Sequence, residues 1–172
     1  MSLLNRLFGP KEDDLAEVRP LWQRIITLAR DPAWYRDGGI ADTVSGRFDA
    51  ITVVLALVLL KMERDPVLIA RTGRLTELFV ADIDGQMREF GVGDPVMSKR
   101  MGKLISHFGG RLDAWRAALA SGDEAELIAS IERNLNLAEG GSGQVVARKM
   151  QDLANQLAAV DSRTLLAGEI GG

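Results

Sequence analysis

Between Asp49 and Lys61 the chain carries an apolar run, Ala50 to Leu60, interrupted only by Thr52. A run this apolar has no polar face to offer water, so whatever it forms must be enclosed on all sides. A bilayer-spanning helix needs about 20 predominantly apolar residues, and this run is shorter than that. It reads as the central buried helix of a helical bundle, capped by Asp42 or Thr43 and ending near Arg64. At 172 residues, 47% hydrophobic and 26% charged, the chain has the length and composition to close one core around it.

The clearest local signals lie in Leu75 to Arg111. Leu75, Leu78, Phe79, Ile83, Met87 and Phe90 recur at spacings of three and four, which makes a helical stripe facing a core. Gly91 then stands where a left-handed cap is wanted, and Gly93 shapes the same corner. Asp94-Pro95 restarts the chain, because Pro at the first helical position loses no hydrogen bond. The stripe continues through Met101, Leu104, Ile105 and Phe108, and Gly109-Gly110 is expected to end that second helix.

Elsewhere the same reading gives more helices. Val18, Leu21, Trp22, Ile25 and Ala29 form a stripe that Asp31-Pro32 stops. Trp34, Tyr35 and Gly38-Gly39 read as a loop with an aromatic anchor. Asp65-Pro66 is expected to launch the long helix toward Phe90. Leu112, Trp115, Ala118 and Leu119 carry the chain to Ser121-Gly122, and Asp123 caps a helix containing Leu127 and Ile131. Gly140 to Gly143 reads as a flexible joint. Val146, Met150, Leu153, Leu157 and Val160 form a narrow seam suited to docking on one neighbour, or to zipping a homodimeric scaffold. The expectation is an all-α, single-domain bundle of about seven or eight helices. Residues 1–14 read as a loosely ordered N-terminus without a secretory signal, 15–138 as the helical domain, 144–163 as a C-terminal helix packed on it, and 164–172 as a mobile tail.

Chemistry is sparse. There is no Cys and a single histidine, His107, so thiolate and His-rich metal sites are excluded within one chain. The net charge of −3 argues against generic nucleic-acid binding. Glu77, Asp82, Asp84 and Glu89 crowd the first long helix, but Asp82 points away from the face that Glu77 and Asp84 share. No Glu-x-x-His accompanies them. A solvated acidic face is the plain reading, and an enzyme or metal protein using those carboxylates is the alternative. Gly91-Val92-Gly93 follows no strand and lacks the third glycine of a dinucleotide loop. Lys99, Arg100 and Lys103 form a basic face that is either solubilising or, beside Arg88 and Arg111, a docking surface.

Three segments together resemble the ubiquinol–cytochrome c chaperone family, whose mitochondrial members are assembly factors for cytochrome b. They are Asp42 to Asp49, then Met87 to Asp94 with Lys99-Arg100-Met101, then Phe108 to Trp115. Ala29-Arg30, Pro32 and Tyr35 extend the likeness, while Val53-Val54 and Gly109 depart from the family pattern. The resemblance implies a non-enzymatic, all-helical assembly chaperone for cytochrome b of the bc1 complex, with no cofactor and no catalytic or metal-binding residue. It implies cytochrome b or another membrane-protein client, a cytoplasmic place and a peripheral contact with the inner membrane. Arg88, Asp94, Lys99, Arg100, Lys103 and Arg111 are the candidates for the partner surface, with Gly91, Gly93 and Pro95 as its structural corner. On this reading Arg88 acts structurally near the corner, and Arg111 docks together with the Lys99–Lys103 face.

Overall fold

The computed structural model describes residues 15–36, 39–89 and 94–171, with the side chains of 86–89, 94–102, 104 and 105 outside that set. Among the described residues there are eight helices and no strand. They are α1 (Arg19–Ala29), α2 (Ala33–Arg36), α3 (Val44–Glu63), α4 (Thr72–Glu89), α5 (Asp94–Ser121), α6 (Glu124–Asn134), α7 (Gly143–Ala159) and α8 (Ser162–Leu166), with a 3-10 turn at Ile69–Arg71 before α4.

The apolar run dictates the arrangement. Every residue from Ala50 to Leu60 except Ile51 is buried on α3, so the helix is apolar around its whole circumference. Such a helix needs neighbours on every side, and α1, α4, α5 and α7 all pack on it. Phe79 on α4 links the surrounding helices. Its ring lies 6.1 Å from Trp22 of α1, 6.1 Å from Phe48 of α3 and 5.4 Å from Phe108 of α5. At the start of α3 the Thr43 hydroxyl accepts the Gly46 amide at 3.1 Å. That turn is packed so tightly that a Cβ on Gly46 would meet the Ala41 carbonyl oxygen at 1.8 Å.

Several local expectations are corrected. Gly109-Gly110 does not end a helix: α5 runs unbroken through both, and neither glycine has positive φ. Two glycines cost a helix interior about 1 kcal/mol each, and burial of Phe108, Trp115 and Ala118 along one face offsets that. The long helix α4 starts at Thr72 and not at Pro66. The Asp65 carboxylate accepts the Val67 amide, and its carbonyl accepts those of Leu68 and Ile69, so these residues form a turn that buries Leu68. Trp34 and Tyr35 sit on α2, a helical turn where a loop was expected.

Gly140 to Gly143 is likewise no flexible joint. The loop before α7 lies back to back with the one before α3: Ile40 bridges Leu137, and Ala138 donates to the Gly39 carbonyl at 2.6 Å. A Cβ on Gly141 would meet that same Gly39 oxygen at 2.5 Å, so the glycine is there for close approach. The α7 seam is buried within the chain against α3 and α6, which leaves no seam for a second copy. The tail expected to be mobile closes the fold instead. Leu165 and Ile170 are buried, and Arg24 of α1 donates to the carbonyl of Ile170 at 2.8 Å. The corner residues Gly91 and Gly93 lie outside the described residues, and the chain is helical from Asp94-Pro95 onward.

Two glycine substitutions should separate these effects. Gly46→Ala is expected to destabilise by about 1–3 kcal/mol through overpacking. Gly110→Ala, exposed and with open space at its Cβ, is expected to stabilise by about 0.5–1 kcal/mol. Urea denaturation of the two variants against the unaltered chain measures both signs.

Candidate functional site

The first wall of the site forms where α1 stops. The indole N–H of Trp34 donates to the Leu28 carbonyl at 3.0 Å, and the Tyr35 hydroxyl donates to the Ala29 carbonyl at 2.7 Å. A helix C-terminus leaves its last carbonyls short of amide partners; the Tyr35 hydroxyl serves that of Ala29, and the indole joins the Asp31 amide at that of Leu28. Burial pushes the Tyr35 phenol above its usual value. Docked this way, α2 sets Arg30, Tyr35 and Arg36 along one side of a cleft of about 1250 Å³. The first turns of α3 make the facing side, with Val44, Ser45, Arg47 and Phe48. Ile26, Ile51, Ile83 and Phe108 give the cleft an apolar floor, and Asp82 and His107 also border it.

At its inner end lies a polar node. Asp49 is 2% exposed, and one of its carboxylate oxygens accepts Arg111 Nη1 at 2.7 Å. The other accepts the backbone amide of Asn136 at 2.8 Å and its side-chain amide at 2.6 Å. Arg111 also reaches the Thr52 hydroxyl at 3.3 Å and the Asn134 carbonyl. A buried carboxylate is tolerated only when paired and hydrogen-bonded. Here two elements supply its partners: α5 through Arg111, and the loop after α6 through Asn136.

The rim carries cations of two kinds. Arg47 donates to Asp42 at 2.7 Å in an exposed pair. That hydrogen bond holds the Asp42 carboxyl below its usual value and raises Arg47. Arg30 and Arg36 are exposed and have no ion-pair partner among the described residues.

The expected partner residues are dispersed relative to this cleft. Arg111 borders it from beneath with its guanidinium turned inward onto Asp49. Lys103 is exposed on α5, one helical turn before His107. The side chains of Arg88, Asp94, Pro95, Lys99 and Arg100 lie outside the described set. The sequence placed none of Arg30, Tyr35, Arg36, Arg47 and Phe48 in a partner site. A signal was present, since Arg30, Tyr35, Arg47 and Phe48 all belong to segments that carry the family resemblance. Among the described residues no three acidic or histidine side chains gather to hold a metal, and no helix is long and apolar enough to cross a membrane.

An all-α body with an apolar, arginine-rimmed cleft is the build of a binding module. The chain belongs to the ubiquinol–cytochrome c chaperone family, whose model matches residues 36–171. The crystal structure of the Cbp3 homolog from Brucella abortus is similar over 98% of this chain and 96% of that one, with 29% identity and a TM-score of 0.79. No curated protein matches the chain. The family gives the protein a chaperone role, and with it a protein client.

The node predicts a clear stability response. Arg111→Ala should cost about 3–5 kcal/mol, because it leaves Asp49 buried without its cation. Adding Asp49→Asn should recover part of that loss. Denaturation midpoints of the single and double variants measure both.

Proposed function

We propose that the protein binds cytochrome b during assembly of the cytochrome bc1 complex, holding it by recognition without catalysis. The client is taken from the family's role, and the α1–α3–α5 cleft is the proposed seat for it. One observation carries the choice of site. Ala29-Arg30, Pro32 and Tyr35, then Asp42 to Asp49, then the start of Phe108 to Trp115, far apart in the chain, carry the family resemblance and contribute to the lining of this cleft. An apolar floor of this size suits a bulky segment of an unassembled membrane protein, which would otherwise expose that surface to water. Lys103, with Lys99 and Arg100 before it on α5, extends the proposed docking face, and Arg88 and Asp94 belong to the corner that positions it. Contact with the inner membrane is peripheral on this reading, through the client and the basic residues.

Val44 offers a test that spares the core, being 78% exposed at the lip of the cleft. Val44→Glu should keep its melting temperature yet reduce cytochrome b recovered with the tagged protein from detergent-solubilised membranes by about fivefold or more, as desolvating a charge against an apolar contact does. Undiminished recovery counts against the cleft. Absence of cytochrome b from the unaltered preparation counts against the client.

A further inference from the structure

The cleft is asymmetric in chemistry along its length, and the asymmetry names a class of occupant. Its floor is aliphatic and aromatic, from Ile26, Ile51, Ile83 and Phe108. Charge on its lining is almost all accounted for internally. Asp49 is bonded to Arg111, Asp42 is bonded to Arg47, and Asp82 also interacts within the chain. Two cations on the lining, Arg30 and Arg36, have no ion-pair partner among the described residues, and both stand on the same segment, flanking Pro32 and Tyr35.

That wall is held rigidly. Pro32 fixes the backbone between α1 and α2, Asp31 accepts the Ala33 amide at 2.8 Å, and the Trp34 and Tyr35 hydrogen bonds pin α2 to the end of α1. Arg30 and Arg36 are therefore carried on a fixed stretch of backbone that lines the apolar cleft. Guanidinium groups match carboxylates in geometry and give up hydration more readily than ammonium groups.

We infer that the cleft selects client segments in which a bulky apolar stretch is followed closely by acidic residues. The apolar side chains seat on the floor, and the carboxylates meet Arg30 and Arg36. This rests on the cleft being the client seat and adds what that seat prefers. The apolar residues form a floor and not a crest, so a convex peptide reaches them where a planar lipid surface does not. Complementary charge then contributes selectivity and faster encounter more than raw affinity, and it weakens with added salt.

Dye-labelled synthetic peptides test this by fluorescence anisotropy on the full chain. Three share one Leu- and Phe-rich stretch and differ only in the two residues that follow it: Glu-Glu, Gln-Gln or Lys-Lys. At low salt the Glu peptide should bind about five- to tenfold tighter than the Gln peptide, and the Lys peptide more weakly still. The double variant Arg30→Glu, Arg36→Glu, both exposed and remote from the core, should reverse the order. Equal binding of all three peptides overturns the charge preference. So does an Arg30→Glu, Arg36→Glu order identical to that of the unaltered chain. Binding of anionic phospholipid vesicles that the same variant abolishes, with no peptide bound, assigns the arginines to lipid and also overturns it. Val44→Glu separates this from the cleft reading itself. If it abolishes cytochrome b recovery while the three peptides bind alike, the seat stands and the preference falls.

Discussion

The carboxylate of Asp49 is the one charge sealed in the core among the described residues, and much of the structure is arranged to keep it satisfied. It stands on α3 one residue before the apolar run. Packing that run forces the helix inward and carries Asp49 in with it. Burial removes its water, so its four bonding positions must be filled from the protein. Arg111 fills one side from α5, and Asn136 the other from the loop after α6. The node thus locks the crossing of α3 and α5 while fixing the loop that returns to α7. A buried pair of this kind adds little net stability over an apolar replacement, yet its loss on one side is costly. Its contribution is to specify one arrangement of helices.

The same arrangement makes the cleft. Phe108 lies one helical step from the node on α5, and Phe48 precedes Asp49 on α3. Fixing the node therefore fixes two aromatic residues bordering the cleft. The opposite wall has an independent anchor in the two aromatic hydrogen bonds that dock α2 on α1. A concave surface with both walls fixed can receive a partner without a large ordering cost of its own. Lys103 is exposed on α5, one helical turn before His107 at the border of the cleft.

Arg111 shows how local sequence can mislead about where a side chain points. Its neighbourhood in the sequence, a glycine pair followed by a cation, suggested an exposed end of a helix. In the structure α5 continues, and Arg111 points inward along with Phe108 and Trp115. Glycine weakens a helix without forbidding it, and a buried face on either side can carry the chain straight through. The loop glycine Gly141 misled in the other direction. It looked like flexibility, and it serves contact, because only a residue without a Cβ lets two backbones approach so closely.

Periodicity and composition alone determined the all-α class, the buried α3, the stripes of α1 and α4 and the cap at Asp123. These follow from local rules, where a residue's neighbours in sequence are also its neighbours on a helix face. The segments that carry the family likeness were legible in the same way. What only the tertiary structure decided is which of them touch. Asp49 and Arg111 are 62 residues apart and Asp49 and Asn136 are 87 apart, so no spacing rule joins them. The distinction between Arg47, tied to Asp42, and Arg30 and Arg36, left to face the cleft, likewise depends on distances through space. Charge along a sequence says how many cations there are, and only the packing of helices says which of them have already found an anion.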